Sequence, residues 1–483
     1  MRRFRLPLPL FVLGVIFLLR APRIAGSGIT DPDFYWHLAY GDWILAHWVI
    51  PRLDAWSWSF QGHPYQLTQW LGEVCLALAH RAGDAGTAVL SAALSTACVA
   101  GAYASARQYL ASRLGAILVA LLACTPLLAL PCRPQMFSYA ACAWMAYLVA
   151  HHQTTGRSTR LFFLPILFVL WANLHGGYAF GLAALWTCAI AALTSAAVNR
   201  TSLNPTSPLL LAAAASTIAT LFNPYGIQLW TGTLQVLGLR SARVILEWQP
   251  TSLATSAGGD YLFFSLIILF ALAYSNKRPS PRALLTLIAF QYLGWSSLRV
   301  SALAMLVMVP ILAEYARSTP FYQLALERDG ARLDQDVPAW LCAPAIILLA
   351  IAGWIAVHDT AGQDQARKKL PIEAVEFMRK SDIHGRLLNS PEAGGYVIRH
   401  LGMPVFIDTR LDLFGDTFVF DYLSARNGEP SWQAFMERTR PDVVLIERDL
   451  PLHQLLLASG RFQSAYDDGR WAVLLHQNLE PHS

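Results

Sequence analysis

Asp31 and Asp33 bracket a proline in the run Asp31-Pro32-Asp33-Phe34-Tyr35-Trp36-His37-Leu38. Two carboxylates at that spacing can offer hard oxygen ligands to a divalent cation such as Mg or Mn, or one of them can act as a general base. The same residues suit a helix start, with Asp31 as the N-cap and Pro32 at the first helical position, and the two readings are compatible. A second run, Trp171-Ala172-Asn173-Leu174-His175-Gly176-Gly177-Tyr178, lies at a hairpin between two apolar stretches. Asn and His at membrane depth are costly unless they face a polar cavity, so His175 reads as a ligand, a base or a hydrogen-bond donor to phosphate, against a buried histidine bonded to a nearby carbonyl.

The elements that must position these groups are membrane spans. With 55% apolar residues, 14% charged residues and a mean hydropathy of +0.39, the composition excludes an ordinary soluble chain. Apolar runs fall near 6–22, 84–106, 114–131, 135–152, 160–174, 177–198, 207–223, 260–276, 282–297, 300–316 and 337–357. The expected fold is a mostly α polytopic membrane bundle of about 11 transmembrane helices, occupying residues 1–357. Basic residues in short loops stay cytoplasmic, which places Arg2-Arg3-Phe4-Arg5 inside, together with the loops at Arg107–Arg113, Arg157–Arg160, Lys277–Arg282 and Arg317–Arg332. The first external loop, residues 24–83, is then far longer than a connection requires and is a functional candidate. Within it, Gln69–Arg81 is short and amphipathic and reads as a helix in the interface rather than a further span.

Beyond the polar stretch His358–Lys369 the composition alternates between charged helices and short apolar strands. Strands are expected near Arg386–Asn389, Pro404–Ile407, Val443–Ile446, Phe462–Tyr466 and Trp471–Leu475, with a helix over Gly395–His400 and others between the later strands. Residues 358–483 therefore read as a C-terminal extracytoplasmic α/β domain.

The run Asp33-Phe34-Tyr35-Trp36-His37-Leu38 resembles the Asp-Pro-Trp-Tyr-His-Leu segment in the first external loop of archaeal oligosaccharyltransferase catalytic subunits, which are membrane glycosyltransferases of the GT-C class. The resemblance implies that Asp33 engages a metal and positions the acceptor, with Asp31 and His37 beside it on the acceptor side. Further segments follow in the family's order. Cys132-Arg133-Pro134-Gln135-Met136-Phe137-Ser138-Tyr139 is similar to the second external loop, with Arg133 and Tyr139 at matching spacing, although Ala140 and Cys142 stand where the family's next acidic residues would fall. Ile245-Leu246-Glu247-Trp248-Gln249-Pro250 resembles the Ser-Val-Ser-Glu-His-Gln-Pro of the fifth external loop, and Arg299 matches an arginine that in the family contacts lipid-linked phosphates. The plainer readings are a solvated Glu247 and an Arg299 anchored at the interface. In the tail, Gly394-Gly395-Tyr396 and Val405-Phe406-Ile407-Asp408-Thr409-Arg410 follow the soluble domain's order of elements. Pro391-Glu392-Ala393-Gly394-Gly395 replaces its acceptor-reading Trp-Trp-Asp-Tyr-Gly motif, so a different acceptor is implied, with Asp408, Arg410 and Asp412 as candidates to recognise it, against a plainer reading of these residues as a salt-bridged turn.

The resemblance implies a glycosyltransferase that moves a sugar from a polyprenyl phosphate or diphosphate to an extracytoplasmic acceptor. Catalysis would fall to Asp33, Glu247 and His175, and donor phosphate binding to Arg133 and Arg299. Acceptor binding would fall to Asp31, His37, Tyr139, Asp408 and Arg410, and a divalent cation, if used, to Asp33 and Glu247. The expected partners are the lipid-linked sugar, membrane lipids and an acceptor that is a glycan, lipid or protein, with no nucleic acid. The expected location is the inner membrane, with the N-terminus inside and the C-terminal domain outside. The competing class is a binder or transporter of lipid-linked glycans without catalysis.

Overall fold

The computed structural model describes residues 5–27, 30–126, 131–325, 335–338, 344, 347, 351 and 369–477. Most of the expected span at 337–357 and of the stretch 358–369 lies outside these residues. Along the chain the helices run α1 (Leu8–Ser27), α2 (Pro32–His47), α3 (Trp70–His80), α4 (Gly83–Ala106), α5 (Arg113–Cys124), α6 (Gln135–Thr155) and α7 (Phe163–Leu174). Then follow α8 (Tyr178–Val198), α9 (Ser207–Ala219), α10 (Gln228–Gly238), α11 (Ser256–Tyr274), α12 (Pro281–Ser296) and α13 (Leu298–Ala316). Contacts divide the chain into two compact units. One takes Met1–Ile24, Ala85–Leu229 and Ile245–Val357, and the other takes Ala25–Asp84, Trp230–Val244 and His358–Ser483.

The first unit is an apolar helical bundle. Among the described residues α4, α8, α11 and α13 are long and apolar enough to cross a membrane, and α1, α5, α7 and α9 are shorter apolar helices. Side-chain caps set several starts: Ser112 accepts from Gly115 N–H, Thr255 from Gly258 N–H, and Ser280 from Ala283 N–H with Pro281 following. Helix α13 is buried along nearly its whole length, packed against α5, α6, α11 and α12. By contrast α11 exposes Phe263, Leu266, Leu269 and Phe270, an apolar surface that a lipid environment covers without cost. The chain is an integral membrane protein.

The second unit holds a four-stranded sheet, ordered β3 (Leu387–Asn389), β4 (Val443–Glu447), β6 (Trp471–His476) and β5 (Phe462–Asp467), numbered after a short antiparallel pair β1 (Arg5–Leu6) and β2 (Val337–Pro338) in the first unit. Strand β3 runs parallel to β4, and the other pairings are antiparallel. Pro404–Ile407 does not join this sheet. Val405 instead makes a single parallel bridge to Ser57, and the side chain of Asn389 takes the place of a ladder by accepting from Phe406 N–H (2.9 Å) and donating to Ile407 O (2.7 Å).

The long first segment, 24–83, carries α2 and α3. Trp36, Ala39, Tyr40 and Ile44 of α2, with Tyr65 and Leu67, are part of one buried core with the strands and helices of the C-terminal segment. The Pro391–Leu401 helix makes this possible because its small face lies against α2. A Cβ on Gly395 would come within 2.6 Å of Pro32 O, and one on Gly394 within 2.6 Å of Ile407 O. The residues that replace the family's acceptor-reading motif thus serve helix packing.

Candidate functional site

In the first unit the beginnings of α6 and α13 and the end of α7 meet. The segment before α11 closes this junction: a short turn, Leu246–Trp248, docks on the start of α13, where Leu298 N–H donates to Gln249 O (3.0 Å) and Ser297 Oγ donates to Glu247 O (3.2 Å). Glu247 is thereby held between two cations. Arg133 Nη1 donates to its Oε1 at 3.2 Å, and Arg299 Nη1 lies 3.9 Å from Oε2. The Arg299 guanidinium also lies over the Trp248 ring, 5.2 Å from its centroid, which fixes its plane. The three charged side chains are 19%, 27% and 32% exposed for Arg133, Arg299 and Glu247, so they are reachable by a ligand yet set in place by contacts.

His175 caps α7 and is buried, with Nε2 3.3 Å from Arg299 Nη2. On its other side Ser138 Oγ lies 2.7 Å from Nδ1, and Gly177 N–H donates to Nδ1 at 2.9 Å. Tyr139 is buried beneath this group and its hydroxyl accepts from Gln135 Nε2 (2.5 Å). Ala140 and Cys142, standing where acidic residues would be expected, are buried in α6, and Cys142 Sγ donates to Leu303 O of α13 (3.7 Å). A carboxylate at either position would be desolvated between helices.

The remaining candidates belong to the second unit. Asp31 is the N-cap of α2, its Oδ1 accepting from Asp33 N–H (3.3 Å) with Pro32 following, so its carboxylate is turned into the helix end. Asp33 is partly buried, and its Oδ1 accepts from Thr409 Oγ1 (2.5 Å), which in turn accepts from Trp36 Nε1 (3.0 Å). Asp408 and Arg410, expected to recognise an acceptor, are both fully buried and engaged with each other. Arg410 Nε donates to both Asp408 oxygens (2.9 and 3.0 Å), while Nη1 donates to Asp54 Oδ1 (2.7 Å) and to Tyr40 OH (2.5 Å). In this structure they offer no face to a ligand.

His37 is likewise turned inward, with Nδ1 3.1 Å from Glu73 Oε1 on α3. Glu73 is fully buried, and burial pushes its carboxyl well above the usual carboxylate range, with the Arg410 charge opposing and Asp412 adding. The sign follows from linkage. A raised folded-state pKa stabilises the protein below the unfolded value, about 4.3, and that contribution is lost as pH rises through the folded value. Glu73→Gln keeps a donor for His37 and carries no such loss. The melting temperature of the variant minus that of the wild type is expected to increase between about pH 5 and pH 8, and a constant difference would show that Glu73 is ionised at both ends.

Ser138, Thr409 and Glu73 escape sequence reasoning, because each matters through a partner that is distant in the chain. Two guanidinium groups already hold Glu247, and among the described residues no three His, Cys, Asp or Glu side chains are grouped to bind an ion.

No family model and no curated protein matches the chain. Its fold is shared with solved structures. ArnT from Cupriavidus metallidurans, in a structure bound to undecaprenyl phosphate, superposes with a TM-score of 0.53 at 11% identity over 98% of this chain and 99% of that one. The Archaeoglobus fulgidus oligosaccharyltransferase gives 0.51 at 14% identity over 91% and 69%. The arabinofuranosyltransferase AftD from Mycobacteria gives 0.51 at 14% over 99% of this chain and 41% of its own. All are GT-C glycosyltransferases, and at these identities the likeness is one of fold.

Proposed function

We propose, from the divergent GT-C fold of this chain, that it is a membrane glycosyltransferase that moves a sugar from a polyprenyl phosphate or diphosphate to an extracytoplasmic acceptor. The observation that carries this reading is the junction in the first unit, where Arg133 and Arg299 hold Glu247 and Arg299 also meets His175 at one set of helix ends. A lipid-linked donor keeps its chain in the bilayer and its phosphate at the rim. As the bond between the anomeric carbon and the phosphate oxygen breaks, negative charge grows on the leaving phosphate, and preset cations stabilise it. Arg133 and Arg299 are those cations. Glu247, clamped between them, sets their spacing and neutralises them while no phosphate is present. The acceptor supplies the electron pair for the new bond to the anomeric carbon, and its proton passes to a carboxylate, for which Asp33 is assigned. A monosaccharide on polyprenyl monophosphate suits this chain best, since no aromatic sequon reader stands at Pro391–Gly395. We place the chain in the inner membrane, with its N-terminus inside and its C-terminal segment outside.

The test is to incubate purified protein with radiolabelled polyprenyl-linked sugars and follow the loss of label from the lipid. Loss is expected to continue in EDTA, because Glu247 is already held by two guanidinium groups. Arg299→Ala is expected to slow it by about 10²–10³-fold, the usual cost of one preset donor to developing negative charge. Donors that all retain their label with the wild-type protein would favour binding or transport without catalysis.

A further inference from the structure

The segment that carries Glu247 is fastened at both ends. Its later end is the Leu246–Trp248 turn, docked on the start of α13. Its earlier end, Arg240 to Val244, belongs to the second unit and lies on the Leu411–Arg426 helix. Asp416 of that helix accepts from two successive backbone N–H groups, that of Arg240 at 3.0 Å through Oδ2 and that of Ser241 at 2.8 Å through Oδ1. One carboxylate thus satisfies two amides at the start of the Ser241–Val244 turn, where Ser241 and Ala242 are buried. Bonding from Ser241 first, and from Arg240 after it, holds the Asp416 carboxyl below the usual carboxylate range, which keeps the clasp charged at neutral pH.

The anchor is firm and the link is short. Asp416 follows a kink at Gly415, whose φ of 70° and ψ of 168° form a combination essentially restricted to glycine. Phe414 and Phe418, on either side of Asp416 in the chain, both pack on Phe60, and Phe418 also packs on Phe406. From the clasp the chain runs through the Ser241–Val244 turn, one extended residue, Ile245 (φ −77°, ψ 129°), and the Leu246–Trp248 turn. The passage from one unit to the other falls at Val244 and Ile245. Each turn is closed by its own backbone bond, Arg243 N–H to Arg240 O (3.1 Å) and Trp248 N–H to Ile245 O (3.0 Å), so the link has little slack. The side chains of Val244, Ile245 and Leu246 are exposed and add little to hold it.

We propose that Asp416 is a positioning residue for the Glu247 site: by clasping the amides of Arg240 and Ser241 it holds the Leu246–Trp248 turn against α13, so that Glu247 keeps Arg133 and Arg299 at their spacing. That those arginines receive a lipid-linked phosphate rests on the reading under Proposed function, whereas the link through the chain does not. The Arg240 side chain is not the link. It is 79% exposed, its Nε lies 4.0 Å from Asp416 Oδ2, and its guanidinium is 5.9 Å from the Phe420 ring centroid, contacts that contribute little at an exposed site. The bond that holds the segment comes from the backbone, and any residue but proline at position 240 supplies it.

Hydrogen exchange of backbone amides in the purified full-length protein tests the link without any substrate. Asp416→Ala should speed exchange at Arg240 and Ser241 by about tenfold or more, the effect of losing two charge-assisted bonds. It should also speed exchange by about threefold or more at Trp248, Gln249 and Leu298, whose amides close the turn and dock it on α13. Asp416→Asn, which keeps one acceptor oxygen, should fall between, and Arg240→Ala should stay within about twofold of wild type at all five amides. Faster exchange at Arg240 and Ser241 with none at Trp248, Gln249 and Leu298 overturns the proposal. If Asp416→Ala unfolds, which faster exchange in β4 would show, Asp416→Asn decides by the same pattern. The rate of label loss from the lipid gives a second test, in which Asp416→Ala should cost about three- to tenfold in the wild type and less than about twofold in a Glu247→Gln background, because the residue acts through Glu247. An undiminished cost in that background overturns the proposal. Wild-type protein that releases label from no donor overturns the transferase reading alone, and the exchange pattern still decides whether Asp416 holds the turn.

Discussion

Asp33→Asn is expected to lower the initial rate of sugar transfer by about 10²–10⁴-fold, the usual contribution of a positioned general base, at unchanged abundance. The substitution is almost isosteric. Asn keeps an oxygen to accept the Thr409 hydroxyl, and the cap of α2 is made by Asp31, so the helix start and the link to Trp36 through Thr409 survive. What disappears is the capacity to take a proton. Because Asp33 belongs to one compact unit and the arginines to the other, the two roles separate by measurement. Asp33→Asn should lose rate while retaining undecaprenyl phosphate binding, whereas Arg299→Ala should lose both. The check is a rate measured at saturating donor alongside a binding isotherm for the same preparation. Wild-type initial rates in Asp33→Asn would end the assignment of Asp33 as the base and leave the carboxylate as a partner of Thr409 only.

What could be read from the sequence follows the range of the forces involved. Helices such as α4, α8 and α13 are announced by local apolar runs, and Asp31-Pro32 announces the start of α2, because hydropathy and capping are properties of neighbouring residues. Strands β4 and β6 are equally plain, as short apolar runs bounded by charge. Pro404–Ile407 misleads for the same reason. Its composition is that of a strand, but whether it pairs is decided by Asn389 and by Ser57, far away in the chain. The site divides along the same line. Arg133, Glu247, Arg299 and His175 could be picked out by type and order, and the structure brings them together, yet that Glu247 sits between two arginines depends on how the Leu246–Trp248 turn docks on α13. Within 24–83 the start of α2 is legible, but the burial of its apolar side chains is not, since it depends on the Gly394-Gly395 face, which is far away in the chain.

Arg410→Ala is expected to destabilise the second unit by about 3–5 kcal/mol, the cost of removing one partner from a buried charge cluster. Arg410, Asp408 and Asp54 are all fully buried, and the guanidinium lies over the rings of Tyr40 and Tyr65, 5.4 and 5.2 Å from their centroids. Asp54 also accepts from the Ser57 backbone N–H and hydroxyl (2.9 and 2.5 Å), so the cluster ties the segment after α2 to the segment before Leu411. Without the arginine two carboxylates are left buried against each other. Lysine at 410 should recover only part of the loss, since one ammonium cannot reproduce the fork that meets Asp408 through Nε and Nη2 while Nη1 meets Asp54. Replacing Asp54 and Asp408 by Asn in the Arg410→Ala background should recover stability by removing the stranded charges. The measurement is thermal unfolding of the purified protein, with protease resistance of the C-terminal segment as a second readout. If Arg410→Ala instead melted like wild type and raised only the KM for acceptor, Asp408 and Arg410 would return to the acceptor site, and the buried cluster would have to open during turnover.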